Sequence, residues 1–250
     1  MDQHSPPAAL LASLRAERHQ RLEAGLQVPN SGIQSAMENL TQDIRAGRLS
    51  GFKEILEGCR ATDNPRGASS TFIDRLMPFQ QTNGEATTQL DEESLSYYRT
   101  PPSITLELSN ALLLKNTDTL VDVGGGNGTT SAIFALLNPD AKIVCLEFQE
   151  DLAKKAHKLK EHFRLPNMSI MNEDAFLADL SSATALYLYY PFSDRLFSKF
   201  INRLNPQALP DLVLNGNNPD LLRDRYPLLS GHPSTFQNTD ISWWRGNIRS

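Results

Sequence analysis

The chain is poor in cysteine and has no long apolar run, and each shortage excludes a class of protein. Only Cys59 and Cys145 occur among 250 residues, far apart, so neither a disulfide framework nor a paired-cysteine metal site is available. No apolar run approaches the ~20 residues that cross a bilayer, and the first twenty residues lack the charged-then-apolar layout of a signal peptide. We therefore expect a globular, cytoplasmic protein without a membrane partner.

The chain also lacks a strong positive charge and a metal-ligand pattern. Its 24 Lys and Arg residues against 29 Asp and Glu residues give a formal net charge of −5, which disfavours gripping a phosphate backbone. No nucleic acid partner is therefore expected. The five histidines share no metal-ligand spacing with cysteines or carboxylates, so no metal site is predicted.

The first hundred residues are typical of helices separated by turns. Ile33, Met37, Leu40 and Ile44 recur at spacings of four, three and four, which predicts a helix lying on a core. The predicted helices span 8–26, 34–46, 52–59 and 71–79. A polar stretch at 80–93 suggests a linker or lid, so we predict a helical region over 1–95 and a second domain over 96–250.

From Thr100 onward, short apolar runs alternate with helical periods, a pattern typical of a parallel sheet covered by helices. Strands are predicted at 119–123, 142–147, 168–172, 185–190 and 211–215, and helices at 129–137, 150–163 and 194–204. The remaining tail, including Phe236 and residues 241–244, is predicted to add one or two edge strands. The sequence thus predicts an α/β domain with a helical appendage.

A glycine turn follows the first predicted strand. Gly124, Gly126 and Gly128 let the backbone turn sharply, bring a ligand close and open a helix whose free N–H groups face it. The spacing is G-x-G-x-G, whereas the dinucleotide fingerprint requires G-x-G-x-x-G, and Thr129 occupies the place of its last glycine. The pattern disfavours NAD and FAD, and the absence of GxxxxGK[ST] disfavours a P-loop nucleotide.

Acidic residues end three of the predicted strands. Asp122, two residues before the first glycine, is expected to project at the strand end toward a ligand rather than into the core, and it suits an ammonium or sulfonium group. Glu147 ends the second strand, where a carboxylate accepts hydrogen bonds from ribose hydroxyls. Asp174 follows the third strand and is a candidate acceptor for an adenine amino group. These residues predict one ligand crevice.

Four segments in this order resemble the successive motifs of class I S-adenosylmethionine (SAM)-dependent methyltransferases. They are VDVGGGNG at 121–128, CLE at 145–147, NEDAF at 172–176 and ALYLYYPF at 185–192, within a resemblance that covers about 97–214. The resemblance implies a doubly wound, mostly parallel, seven-stranded Rossmann-like sheet that binds SAM across strands one to four. It also implies methyl transfer to an acceptor.

The resemblance also implies a set of cofactor-binding residues. Gly124, Gly126 and Gly128 would approach the methionine part, and Asp122 would hold its ammonium through water or backbone. Glu147 would hold the ribose and Asp174 the adenine. The neighbours Gly125, Phe148 and Ala175 complete this part of the predicted set.

A weaker likeness, to Dot1-like protein-lysine methyltransferases, lies in residues 97–102 and 189–192. There a threonine-proline segment covers the cofactor, which makes Tyr98 and Thr100 candidates for a cofactor lid. Tyr189 and Tyr190 are candidate catalytic residues because aromatic walls favour the loss of charge from a sulfonium. Their Tyr-Tyr-Pro-Phe turn departs from the [ND]-P-P-[YF] of enzymes that methylate amino groups of bases or glutamine, and no general base is assigned.

We distinguish three candidate functions. The first is a SAM-dependent methyltransferase that acts on a small molecule or a protein side chain. The second is a non-catalytic SAM-binding module that acts through its helical region in a protein complex. The third, aminopropyl transfer from decarboxylated SAM, requires further acidic residues to hold a polyamine, and Asp122 and Asp174 alone do not supply them.

Overall fold

The structure, a computed structural model, describes residues 31–60, 72–73, 75–76, 100–189, 192–205, 207–215, 241–244 and 246. The predicted helix at 8–26 and the boundary between 95 and 96 lie outside these ranges. The division into two domains therefore stays a prediction.

Six helices are described. They are α1 (Ser31–Arg45), α2 (Ser50–Arg60), α3 (Pro102–Leu112), α4 (Thr129–Leu137), α5 (Glu150–Phe163) and α6 (Asp194–Asn202). The predicted limits of α4 and α5 are confirmed, whereas α3 was not predicted. The sequence of α5 favours a helix in two ways. Glu150 and Asp151 lie in the first turn and Lys160 and His162 in the last turn, where their charges complement the helix dipole, and one apolar stripe is buried.

The strands form one sheet in the order β3-β2-β1-β4-β5-β6. They are β1 (Thr119–Val123), β2 (Lys142–Leu146), β3 (Met168–Met171), β4 (Ala185–Tyr189), β5 (Asp211–Asn215) and β6 (Ile241–Trp244). The first five are mutually parallel, and β6 pairs antiparallel with β5. The predicted doubly wound, mostly parallel arrangement is confirmed. Of the seven strands expected, six lie within the described residues.

The chain reverses its direction of travel along the sheet at β1. It runs outward through β2 and β3 on one side and then crosses to β4 on the other side. In open α/β sheets such a switch point leaves a crevice at the carboxyl ends of the strands, where ligands bind. The glycine turn follows β1 at this point.

Both faces of the sheet are covered. One apolar cluster joins Leu120, Ile143 and Tyr187 of the sheet to residues of α3, α4 and α5, and it also contains Phe52 and Leu56 of α2. A second cluster on the other face joins Val121 and Val123 of β1 with Phe197 and Phe200 of α6. Burial on both faces is the reason that β1 carries an apolar run rather than an alternating pattern.

Helices α1 and α2 belong to the same packed body as the sheet. Helix α2 packs on α3, and α1 packs on α2 and α5. Within the described part of the chain, no helix has the length and apolar character that crossing a bilayer requires.

Candidate functional site

The glycine turn after β1 has a backbone conformation that residues other than glycine rarely adopt. Gly124, Gly126 and Gly128 have φ values of 72°, 58° and 78°, in the left-handed region that glycine tolerates. The N–H groups of Gly124 and Gly125 both donate to the carbonyl oxygen of Leu146, at 2.9 and 3.0 Å. The turn is thereby tied to the end of β2 before α4 begins.

Two of these glycines also permit close packing. A Cβ atom at Gly125 would lie 2.6 Å from Sγ of Cys145, and a Cβ atom at Gly128 would lie 2.6 Å from Cβ of Ala156 in α5. Both distances are below the contact limit of carbon and sulfur atoms. The turn therefore needs glycine partly to seat α4 and α5 against the sheet, besides any need of a ligand.

Glu147 lies directly after β2, and its carboxylate is bound to the glycine turn. Its Oε2 accepts a hydrogen bond from the N–H of Gly126, and its Oε1 accepts one from the N–H of Gln149, both at 2.8 Å. Burial raises the pKa of Glu147, and the backbone donors oppose that rise. Because a carboxylate offers about four acceptor sites, Glu147 keeps acceptor capacity for the hydroxyl groups of a ligand.

Asp122 is oriented differently from the sequence-based expectation. Its side chain is only 3% exposed and faces α4, where Oγ of Ser131 donates to its Oδ2 at 2.6 Å. The physical reason is the alternation of side chains along β1, since Asp122 shares a face with Leu120 and with its register partners Cys145 and Tyr187. The carboxylate thus lies beneath the turn and does not project beyond the strand end.

The two buried carboxylates give the region under the turn a negative electrostatic potential. Burial raises the pKa of Asp122 to about 7, the hydrogen bond from Ser131 lowers it, and the charge of Glu147 raises it again. A nearby cation would relieve this cost because it stabilises both ionised carboxylates. The same arrangement disfavours a pyrophosphate, whose negative charge would be repelled.

Phe148 stands beside Glu147 as an exposed aromatic ring. Its side chain is 57% exposed, whereas most large apolar side chains among the described residues are buried. Asn172, directly after β3, donates its Nδ2 group to the carbonyl oxygens of Glu147 and Phe148, at 2.8 and 2.9 Å. The ends of β2 and β3 are thereby joined at the edge that carries the glycine turn.

The loop after β3 carries Asp174 and Ala175. Asp174 is half-buried, and its Oδ1 accepts from the N–H of Phe176 at 2.8 Å, so the carboxylate also shapes its own turn. Arg203, which follows α6, donates to the carbonyl oxygens of Ala175 and Ala178. The loop is thus anchored at the side of the predicted adenine position.

The segment before α3 is also buried. Thr100 is 2% exposed, and its hydroxyl group shares a 2.7 Å hydrogen bond with the phenol of Tyr187 in the middle of β4. Burial raises the pKa of Tyr187 well above its ordinary value. Thr100 therefore anchors the entry to α3, and its predicted contact with a cofactor stays a prediction.

Of the two tyrosines that are candidate catalytic residues, Tyr189 lies within the described residues. Tyr189 ends β4, is half-buried and packs against the cluster that contains α3 and α4. Tyr190 and the lid candidate Tyr98 lie outside the described residues. At the carboxyl edge of the sheet, the structure brings together three of the predicted features. Glu147 is hydrogen-bonded to the glycine turn, and Phe148 is its neighbour in the chain.

Sequence reasoning assigned no role to Ser131, Asn172, Tyr187 or Arg203, which position the predicted residues. Asn172 carried a usable signal, because a lone amide directly after an apolar strand is suited to satisfying the carbonyl groups of a neighbouring strand end. Arg203 lies far from the loop in the chain and carried no local signal.

Comparisons with known proteins give matches among solved structures. No protein-family model and no curated protein sequence matches the chain. An RNA methyltransferase from Salinibacter ruber, in complex with S-adenosyl-L-homocysteine, is similar with 23% identity over 60% of this chain and 94% of that chain, with a TM-score of 0.48. A SAM-dependent O-methyltransferase from Thermotoga maritima is similar with 20% identity over 55% of this chain and 52% of that chain, with a TM-score of 0.42.

A precorrin-6y C5,15-methyltransferase from Geobacter metallireducens is similar with 19% identity over 59% of this chain and 75% of that chain, with a TM-score of 0.40. The fold itself follows from the chain's own topology. The strand order, the switch point at β1 and the glycine turn make the described sheet and its helices a doubly wound, Rossmann-like α/β domain.

Proposed function

We propose that this chain is a SAM-dependent methyltransferase whose cofactor site is the carboxyl edge of β1, β2 and β3. The observation that carries the proposal is the convergence of two buried carboxylates, Asp122 and Glu147, on a left-handed glycine turn. A nucleotide diphosphate would meet repulsion there, whereas a ligand with a sulfonium, an ammonium and ribose hydroxyls would be attracted.

The residues present fit the parts of SAM. Glu147 has acceptor capacity for the ribose hydroxyls, and the exposed ring of Phe148 offers a stacking surface for a nucleobase. Asp174 is the acceptor proposed for the adenine amino group. When bound, SAM would supply an electrophilic methyl group, which is transferred by in-line displacement.

For this transfer the protein chiefly has to align an acceptor atom and exclude water, and no nucleophilic side chain is needed. We place the acceptor beside the carboxyl end of β4, where Tyr189 is half-buried and Tyr190 follows. The acceptor is proposed to be a small molecule or a protein side chain. The net charge of −5 favours a neutral or cationic one.

Isothermal titration calorimetry with the full chain tests the cofactor. SAM and S-adenosyl-L-homocysteine should bind and NAD should not, because the pyrophosphate would lie in the negative potential of Glu147 and of Asp122 beneath the turn. Binding of NAD without binding of either sulfur nucleoside would overturn the proposal.

A matched pair of variants tests the ribose contact. Glu147→Gln should weaken the binding of both sulfur nucleosides by about 1–3 kcal/mol, because a carboxylate that accepts two hydroxyl groups becomes an amide. Glu150→Gln, three residues later on the exposed start of α5, should leave binding unchanged. Equal affinity of the two variants would contradict the assignment of Glu147.

A further inference from the structure

The peptide that links Glu147 to Phe148 belongs to neither a helix nor a strand. β2 ends at Leu146 and α5 begins at Glu150, so this short connection lacks the repeated hydrogen bonds of regular structure. Its carboxylate and its exposed ring are nevertheless the two groups proposed to hold a nucleoside. The N–H groups of Gly126 and Gln149 hold the carboxylate of Glu147, but the main chain that carries Glu147 and Phe148 needs a further constraint.

Asn172 supplies that constraint. One amide nitrogen donates to the two successive carbonyl oxygens of Glu147 and Phe148, while the N–H of Glu147 donates to the carbonyl of Met171 at 3.0 Å. The connection is therefore held on both sides of the Glu147 residue by the end of β3. Asn172 touches only main-chain atoms there, so its effect on a ligand would pass through its neighbours.

We propose that Asn172 is a positioning residue that sets the affinity of the site for the nucleoside half of its ligand. This inference rests on the proposed function. Without the two hydrogen bonds, the main chain of Glu147 and Phe148 would sample more conformations and would carry both side chains with it, so binding would include the cost of ordering this segment.

The chain contains a control with the same chemistry at the opposite end of the same strand. Asn167, directly before β3, donates its Nδ2 group to the carbonyl oxygens of Ala135, Asn138 and Ala141, at 3.0 to 3.1 Å. Both residues are asparagines that bind the main chain beside β3. Only Asn172 lies at the carboxyl edge, where the glycine turn is.

The test compares Asn172→Ala with Asn167→Ala in the full chain. Calorimetric titrations with S-adenosyl-L-homocysteine and 5′-methylthioadenosine give the dissociation constant and the stoichiometry, and thermal unfolding gives the Tm. Asn172→Ala should raise both dissociation constants by about tenfold, which corresponds to the cost of ordering one or two side chains on binding. The factor should be equal for the two ligands because they share the nucleoside.

The stoichiometry separates a positioning effect from partial unfolding. Aggregated or irreversibly unfolded protein lowers the number of sites, whereas reversible unfolding raises the apparent dissociation constant at full stoichiometry. The titrations are therefore run well below the Tm of every variant, where reversible unfolding is negligible, and Asn172→Ala should retain full stoichiometry. Asn167→Ala should lower the Tm at least as much and leave both dissociation constants within twofold of wild type. If Asn172→Ala does not fold, Asn172→Ser, which keeps one donor, takes its place in the same measurements.

Each outcome is decisive. If wild type binds both ligands and Asn172→Ala binds them within twofold of wild type, the inference is wrong and the proposed function stands. If Asn167→Ala weakens binding as much as Asn172→Ala does, the effect is general destabilisation and the inference is again wrong. If wild type binds neither ligand, the proposed function itself fails, and the inference fails with it.

Discussion

Replacing Asp122 by asparagine should stabilise the ligand-free protein at neutral pH. Burial raises the pKa of this carboxyl group from 3.8 to about 7, so the folded protein keeps a proton that the unfolded chain releases between about pH 4 and pH 7. The free energy of unfolding of wild type therefore falls as the pH rises through that window. At 1.36 kcal/mol per pH unit, the full cost of ionising Asp122 is about 4 kcal/mol.

The asparagine variant removes this cost and keeps an oxygen that accepts from Ser131. The free energy of unfolding of Asp122→Asn should exceed that of wild type by about 2 kcal/mol at pH 5 and by about 4 kcal/mol at pH 8. Urea unfolding at four pH values measures the difference. A difference that stays constant with pH, or an asparagine variant less stable than wild type at pH 8, would refute the reasoning.

A second variant checks the role of the hydrogen bond. The hydroxyl group of Ser131 stabilises the ionised form of Asp122 and lowers its pKa. Ser131→Ala should therefore raise that pKa further and steepen the fall in the free energy of unfolding between pH 5 and pH 8.

Asp122→Asn should also bind SAM more weakly than wild type does, because a neutral amide attracts an ammonium group less than a carboxylate does.

Three further variants probe the turn, the aromatic surface and the buried hydroxyl pair. Phe148→Ala should weaken nucleoside binding by about 1–3 kcal/mol in calorimetry and barely change the Tm, because the ring is 57% exposed. Gly128→Ala should lower the free energy of unfolding by about 2–4 kcal/mol, because the new Cβ would collide with Ala156. The control Gly47→Ala has a similar φ of +75° but nothing within 4 Å of the new Cβ, so it should lower the free energy of unfolding by only about 1–2 kcal/mol. Equal losses in the two variants would contradict the packing argument. Thr100→Val should lower the free energy of unfolding by about 1–3 kcal/mol, because it leaves the buried phenol of Tyr187 without its hydrogen bond to Thr100. In a double-mutant cycle, the double variant with Tyr187→Phe should recover part of that loss.

The sequence analysis missed α3 because its polar residues do not form a separate face. Ser103, Thr105 and Ser109 are buried together with the apolar residues of the helix, so the helical period is weak in the sequence. Its first residue, Pro102, is a common helix start, although the likeness to Dot1-like enzymes favours a lid at the Thr-Pro-Pro segment. Helix α5, which keeps a polar face, was predicted with its correct limits.

Local features determined the strand, turn and helix that carry the proposed site. The apolar run of β1, the three alternate glycines and the start of α4 are consecutive in the chain, so neighbouring residues are enough to predict a strand, a turn and a helix there. The acidic residue after β2 could be located for the same reason. The sequence alone therefore indicated where a ligand would bind and which groups end the strands there.

Only the tertiary structure decided which way those groups point and what holds them. A strand buried on both faces has no alternation of polar and apolar residues, so the sequence could not show that Asp122 faces α4. The bonds from Asn172 to Glu147 and from Thr100 to Tyr187 join residues 25 and 87 positions apart. Asn172 meets Glu147 because parallel strands align their carboxyl ends, whereas Thr100 meets Tyr187 because α3 packs in the same apolar cluster as β4. Contacts between distant segments leave no trace in local spacing.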